Sequence, residues 1–247
     1  EQKVVSAQTN SYYTPAAFGA SPQRKDYPFA LTEVDAAYPF TLGKGIKIGM
    51  VDSSIDILHS SLNRDNISLV ELVASDSPKS RQHGTEVAGV MVSSDPRVGI
   101  APEASLLAVS AFGNGQNGKG TADMIAKAID LCIEQKVDIL NLSFAGEQDK
   151  IVEKMVRRAI ANGIVVVASA GNNGPGAEPA YPAAIPGVIA VTAVDSDESV
   201  FAKANRGSYL DFAAPGVGIL TTAPRNSYHL ATGTSIATAH VSGIIAL

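Results

Sequence analysis

Residues 121–142 read TADMIAKAIDLCIEQKVDILNL, in which a helical pattern is followed at once by a short apolar run. Apolar residues recur at helical spacing from residue 121 to residue 136, which predicts an amphipathic helix with one buried face. The run at 138–142 is too short for a helix and is typical of a buried strand. Cys132 lies on the apolar face of the predicted helix, so we expect it in the core rather than as a reactive thiol.

The same alternation extends outward along the chain. Further apolar runs predict strands at residues 46–51, 68–73, 106–110, 164–168 and 188–194. A second amphipathic helix is predicted from residue 149 to residue 161, where an Asn-Gly pair provides a stop signal. Strands that alternate with helices are typical of a parallel sheet. We therefore predict an α/β fold with a mostly parallel central sheet and helices on both faces.

Size and composition limit the number of domains and the class of partner. The 247 residues are 45% hydrophobic and 17% charged, which is enough for one large core. Residues 1–25 show scattered Ser, Tyr, Pro and Gly, so we expect an irregular N-terminal arm or linker there and one domain over residues 26–247. The net charge of -5 and the lack of a Lys/Arg block exclude nucleic acid as the expected partner. The apolar runs are too short for a membrane span.

Two residues with possible chemistry follow apolar or small-residue segments in the first half of the chain. Asp52 stands at the end of the predicted strand 46–51, where an acid is ordinarily a turn or cap residue. His83 begins a predicted helix rich in small residues. Its imidazole could act as a general base and then as a general acid, because an unperturbed histidine has a pKa near neutrality. The alternative is a histidine that only caps the helix.

Two more candidates lie in the second half. Ser235 follows Gly233 and Thr234 and begins another small-residue helix, where serine is also a common N-cap. The positive end of a helix favours a developing oxyanion at that place. Asn172 follows the predicted strand 164–168 in an Asn-Asn-Gly-Pro segment, which is otherwise an ordinary turn. Its amide can donate a hydrogen bond without adding charge.

The combination points to one family, because the chain order Asp, His, Ser is the order of subtilisin. From about Asp26 to its end the sequence resembles the subtilases, which implies a three-layer subtilisin-like fold. The matching motifs are Val51-Asp52-Ser53, His83-Gly84-Thr85 with Val87-Ala88-Gly89, Ala170-Gly171-Asn172, and Gly233-Thr234-Ser235 with Ala237 and His240-Val241.

The resemblance implies a serine endopeptidase and a role for each residue. Ser235 would attack the scissile carbonyl, His83 would take and return its proton, and Asp52 would orient the imidazole. Asn172 and the backbone N–H of Ser235 would hold the oxyanion. His59 and His229 are expected to be structural or exposed, and His240 is expected to support the helix that carries Ser235.

The resemblance also implies where a peptide or protein substrate binds, by addition as a strand between two extended segments. The expected substrate-binding residues are Gly118, Gly120, Ser143, Phe144, Ala145, Gly146 and Ala180. Phe144 and Ala145 are expected to narrow the pockets. Ala180 would lie near the floor of the first specificity pocket, so an apolar P1 residue is expected.

Several positions depart from the family pattern. Ser54, Ser60 and Ala239 replace a glycine and two prolines, and Glu86 stands where a second histidine is common. The segment 92–98 is short where secreted subtilisins often carry a calcium loop, so no metal or cofactor is expected. The acidic turn Asp195, Asp197, Glu198 is read as a solvated loop.

The ends of the chain leave further expectations and alternatives open. Relatives continue beyond the position about a dozen residues after Ser235, so the domain is expected to lack its C-terminal end. A pro-segment or a separate C-terminal fragment is a candidate partner. The start at Glu1 without a methionine favours processing, and an exported bacterial-type enzyme is the favoured localisation. Two other functions stay open: a catalytically silent binding or scaffold protein, and a peptide ligase or acyl transferase that uses the same site.

Overall fold

The computed structural model of the chain describes residues 12–15, 18–19, 27–62, 65–75, 77–113 and 120–247. The helices are α1 (Tyr27–Thr32), α2 (Gln82–Val92), α3 (Ala122–Glu134), α4 (Lys150–Ala161) and α5 (Thr234–Ile245). The strands are β1 (Tyr12–Pro15), β2 (Phe18–Gly19), β3 (Lys47–Ser53), β4 (Ile67–Glu71), β5 (Ser105–Phe112), β6 (Gly120–Thr121), β7 (Ile139–Leu142), β8 (Phe144–Gly146), β9 (Val165–Ser169), β10 (Ile189–Val194), β11 (Phe212–Pro215), β12 (Ile219–Ala223) and β13 (Ser227–Thr232).

The centre of the fold is a parallel sheet. Within the described residues, seven strands pair in the order β11-β10-β9-β7-β3-β5-β4, and every neighbouring pair is parallel. The six strands predicted from apolar runs are all confirmed, with bounds that differ by one or two residues. Both predicted amphipathic helices are confirmed as α3 and α4.

Alternate residues of the strands face two separate cores. Ile48 and Met50 of β3 pack with α2 and α5 on one face of the sheet. Val51 of β3 packs with α3 and α4 on the other face. The predicted α/β architecture of three layers is therefore confirmed. Cys132 is buried in the second core, and this burial raises the pKa of its thiol to about 12, so the expected core role is confirmed.

The end of α4 shows why the chain turns where the sequence indicates. The Asp149 carboxylate accepts the backbone N–H groups of Ile151 and Val152 and caps the start of this helix. Gly163, the second residue after the helix, has a φ of 81°, a conformation that costs glycine little. Among the described residues, no helix has both the length and the apolar character needed to cross a bilayer.

Two small antiparallel sheets flank the central one. The first has the order β6-β1-β8 and the second has the order β12-β13-β2. The described parts of the predicted N-terminal arm, residues 12–15 and 18–19, therefore form strands in these two sheets. The boundary of the arm near residue 25 stays a prediction.

Candidate active site

Asp52 and His83 are brought together at the carboxyl end of the central strand β3. Asp52 is the penultimate residue of β3, and His83 is the second residue of α2. His83 Nδ1 lies 2.6 Å from Asp52 Oδ1, and both residues are buried. The same carboxylate oxygen accepts the backbone N–H of Ser53 at 2.6 Å. Two bonds therefore fix the carboxylate that holds the imidazole.

Gly84 allows the start of α2 to approach the end of β3. Its N–H donates to Ser53 Oγ at 2.8 Å. A Cβ at this position would overlap the backbone carbonyl of Ser53 and come within 2.7 Å of the Ser54 carbonyl oxygen. The glycine after His83 is therefore required by packing, and it sets the position of the histidine relative to Asp52.

Ser235 and Asn172 are joined through Thr234. Ser235 is the second residue of α5 and is fully buried. Asn172 lies three residues after β9, and its Oδ1 accepts the Thr234 N–H at 3.1 Å. The Gly171 N–H in turn donates to Thr234 Oγ1 at 3.2 Å. These contacts orient the Asn172 amide beside the N-terminus of α5, a role for Thr234 that the sequence gave no reason to expect.

Among the described residues, three of the four candidate catalytic residues carry a buried polar atom without a partner. In the described part of the chain, five buried side-chain nitrogen or oxygen atoms have no hydrogen-bond partner, and three of them are Asp52 Oδ2, His83 Nε2 and Asn172 Nδ2. A buried polar atom without a partner costs about 1–3 kcal/mol. Such a concentration is typical of a functional site, where the partner is a reacting molecule.

His83 and His240 are both buried but differ in their proton affinity. Burial lowers the pKa of His83, but the charge and hydrogen bond of Asp52 and the charge of Glu86 outweigh it, so the pKa of His83 is raised. Burial lowers the pKa of His240 to about 4, although its hydrogen bond to the Ile236 carbonyl opposes this effect. His240 is therefore neutral near pH 7 and supports α5, as predicted.

A buried hydrogen-bond chain links Asn141 on β7 and Ser143 directly after this strand to Ser235. Ser242 Oγ donates to Asn141 Oδ1, Asn141 Nδ2 donates to Ser143 Oγ, and both distances are 2.9 Å. Ser143 Oγ donates to the Ser235 carbonyl at 2.9 Å. The side chain of Ser143 therefore faces the interior, so only its backbone is available for the substrate-binding role predicted for it.

Four of the other residues expected to bind substrate lie on two strands. Gly120 belongs to β6, and Phe144, Ala145 and Gly146 form β8. The ring of Phe144 is 1% exposed and packs at 5.2 Å from the ring of Phe112. Ala180 is buried close to Gly171. Gly118 lies outside the described residues, so its predicted role stays a prediction.

Strand β1 lies between these two strands and pairs antiparallel with both. Tyr13 is opposite Gly120 of β6 and Gly146 of β8, and Pro15 is opposite Phe144. Strand β2 pairs with β13 instead, with Phe18 opposite Thr232. Residues 1–25 show no clear alternation of apolar and polar side chains, so the sequence gave no signal for either strand.

Three of the departures from the family pattern are accommodated by hydrogen bonds. Ser54 Oγ donates to Glu71 Oε1 at 2.7 Å, and the Ser60 N–H donates to Asn226 Oδ1 at 2.9 Å. Glu86 is buried and forms an ion pair with His229, whose Nε2 lies 2.8 Å from Glu86 Oε1. The sequence offered no way to connect Glu86 with a histidine so distant along the chain.

Metal ligands are not clustered in the part of the chain that the structure describes, where no three His, Cys, Asp or Glu residues meet in an arrangement that could hold an ion. In the acidic turn, Asp195 Oδ1 accepts the backbone N–H groups of Asp197 and Ser199 at 2.9 Å. This carboxylate therefore stabilises its own turn.

A histidine bound to a buried acid at the carboxyl end of a parallel strand, and a serine at the start of a second helix that packs against the helix of the histidine, match the parts of a serine hydrolase. The chain belongs to the subtilase family of serine proteases, whose sequence model matches residues 43–247.

The relatives carry names of both intracellular and other serine proteases. The chain is 39% identical over 219 residues to the major intracellular serine protease of Bacillus subtilis (strain 168), covering 83% of this chain and 68% of that protein. It is 37% identical over 213 residues to subtilisin E of the same organism, covering 83% and 55%. It is 34% identical over 231 residues to an intracellular serine protease of Paenibacillus polymyxa, covering 88% and 70%. The chain thus spans little more than half of subtilisin E and about two thirds of the intracellular proteases.

Proposed function

We propose that this chain is a serine endopeptidase in which Ser235 is the nucleophile, His83 the general base and Asp52 the group that orients His83. The observation that carries the proposal is the 2.6 Å bond between His83 Nδ1 and Asp52 Oδ1, with His83 Nε2 buried and left without a partner among the described residues. A bond of this kind fixes the tautomer in which Nε2 can accept a proton.

The chemistry proceeds through an acyl-enzyme. Ser235 Oγ attacks the carbonyl carbon of the scissile bond while its proton moves to His83 Nε2, and the carbonyl oxygen becomes an oxyanion. The Asn172 Nδ2 group, which has no partner in the described structure, donates to that oxyanion together with the Ser235 backbone N–H. The tetrahedral intermediate collapses when His83 returns the proton to the leaving amine. Water then hydrolyses the ester through the same two groups.

The substrate binds as an added antiparallel strand between β6 and β8. The pairing of β1 with both strands supports this proposal, because it demonstrates that their edges accept a peptide backbone in that direction. Main-chain pairing recognises any extended peptide, so selectivity must come from pockets. Ala180, buried and uncharged, supports an apolar P1 residue. Strictly basic P1 residues in cleavage maps would contradict this assignment.

The N-terminal segment acts as a pro-segment that competes with substrate. β1 ends at Pro15 opposite Phe144, one residue after Ser143, and β2 begins at Phe18 opposite Thr232, three residues before Ser235. Residues 12–15 and 18–19 therefore pair with strand edges that lie on both sides of the nucleophile along the chain. We expect the chain to cut itself between Pro15 and Phe18 and to gain activity as it does so.

Two other proposals concern the surroundings of the enzyme. Export of the enzyme stays a proposal, since two of the three relatives compared are named as intracellular proteases; fractionation of the producing cell tests it. A separate C-terminal fragment is likewise a proposed partner, and copurification with the tagged chain tests it.

Hydrolysis of a denatured protein tests the proposed function. The wild-type chain should yield new peptides in mass spectrometry and a new N-terminus between residues 15 and 18. Ser235→Ala should yield neither, and Ser227→Ala, which changes an exposed serine on β13, should behave as wild type. Failure of the wild type to cleave any substrate would favour the scaffold alternative. Products longer than the substrates would indicate ligation.

A further inference from the structure

A second charged pair lies one helical turn beyond His83. Glu86 is 4% exposed, and its Oε1 is bound by His229 Nε2 at 2.8 Å and by Gln82 Nε2 at 2.6 Å. His229 comes from β13, and its side chain is 40% exposed. The pair therefore connects the buried surroundings of His83 with solvent.

We propose that Glu86 and His229 form a charge pair that controls how strongly His83 holds a proton. The pair thereby sets the lower pH limit, which is the pH below which activity is lost. The proposal rests on the proposed peptidase function and concerns the regulation of that same site. Glu86 is a positioning residue here, because it acts through His83 and has no contact with the scissile bond assigned to it.

Glu86 is held in its charged form although it is buried. Burial raises the pKa of its carboxyl, but the hydrogen bond from His229, the charge of His83 and the hydrogen bond from Gln82 outweigh it, so the pKa is lowered. Residues three apart on a helix lie roughly 5–6 Å apart at Cβ. A carboxylate at that distance, inside the protein, favours the protonated form of His83.

Few other charged groups near α2 could change the pKa of His83 in the same way. The titratable groups on the elements packed against α2, in the loop after β3 and on β13 are the following: Lys47 and Asp52 on β3, Asp56 in the loop, His240 on α5, Tyr228 and His229 on β13, and Lys79 and Arg81 on the short 3-10 helix Lys79–Arg81 before α2. Lys47 lies at the amino end of β3, five residues before Asp52. His240 is neutral near pH 7. Lys79 and Tyr228 are exposed and so are screened by water and salt. Asp52 and Glu86 are thus the buried anions that act on His83.

The sign of each effect follows from these charges. Neutral His83 is the active base, so activity is lost as pH falls through its pKa. Glu86 raises that pKa and therefore raises the lower pH limit. The hydrogen bond and charge that His229 directs at Glu86 compensate part of the carboxylate's charge and lower the limit. Removal of the two groups should consequently move the limit in opposite directions, which general damage to the fold would not do.

The experiment compares kcat/KM from about pH 4.5 to 9, the range over which histidine titrates, for the complete chain and its variants. The acid limb is the part of the profile in which kcat/KM falls as the pH is lowered. Glu86→Gln should shift this limb to lower pH by about half to one unit, and His229→Gln should shift it to higher pH by a similar amount. Glu134→Gln, which removes an equal charge from an exposed site at the end of α3, should leave the limb in place.

Unmoved limbs in both variants, or movement in the same direction, would overturn the inference. If Glu86→Gln does not fold, His229→Gln at its partly exposed position decides alone, and an unshifted limb there overturns it. A wild type that cleaves nothing at any pH would instead contradict the proposed function. The two failures are therefore distinguishable.

Discussion

Replacing Asp52 with asparagine removes one negative charge from the pair that holds His83 while keeping the shape of the side chain. Asp52 Oδ1 accepts both His83 Nδ1–H and the Ser53 N–H. An asparagine can keep its carbonyl oxygen at this place and retain both bonds. The substitution therefore isolates the contribution of the charge to the stabilisation of the imidazolium that forms during the reaction.

The separation of the groups sets the size of the effect. The donor and acceptor atoms are 2.6 Å apart, and the centres of the two charges lie roughly 4 Å apart. At an effective dielectric constant of about 20, a pair of unit charges at that separation is worth about 4 kcal/mol. Each 1.36 kcal/mol corresponds to a factor of about ten in rate. We expect kcat to fall about 10³-fold.

Steady-state hydrolysis of a chromogenic peptide with an apolar P1 residue measures this loss. KM should change little, since Asp52 lies behind His83 and is 1% exposed. Asp56→Asn is the matched control, because this acid lies four residues further on and its carboxylate binds only backbone N–H groups among the described residues. A loss of less than tenfold in Asp52→Asn, with the control unchanged, would refute the assigned role of the charge.

Two other substitutions test the oxyanion donor and the packing of α2. Asn172→Ala should lower kcat with KM little changed, by about the 10²–10³-fold known for removal of one such donor in a subtilisin; exposed Asn173→Ala is the control, and an equal loss there would contradict the assignment. Gly89→Ala should lower the free energy of unfolding by about 3 kcal/mol, since a Cβ would overlap Thr222 Oγ1, which binds the Thr85 carbonyl. Thermal unfolding should then shift down by roughly 6–12 °C, while Gly176→Ala, in open space, should not shift it.

The sheet and its helices could be predicted because the spacing of apolar residues reflects which side chains are buried. Residues 46–51 and 164–168 form buried strands in a parallel sheet, so their apolar runs were sufficient to find β3 and β9. The carboxyl ends of these strands then indicated Asp52 and the segment that contains Asn172. The same spacing predicted α3, where the buried face includes Cys132.

The contacts that position the site could not be predicted in this way. β1 pairs through its backbone groups, which nearly every residue type supplies, so no apolar pattern marked residues 12–15 as a strand. The Ser143 side chain points into the protein and donates to the Ser235 carbonyl. The alternation of apolar and polar residues along the sequence could not show which way this side chain points. Glu86 and His229 meet only because β12 packs against α2 and β13 pairs with β12. These contacts depend on the tertiary arrangement and not on local sequence.

The most direct test of the central claim is the reaction of the complete chain with a serine-directed fluorophosphonate, followed by mass spectrometry of the modified peptide. The account predicts a single modification on Ser235, greatly slowed in His83→Ala and absent in Ser235→Ala. Labelling that persists at the wild-type rate in His83→Ala, or that falls on another serine, would contradict it.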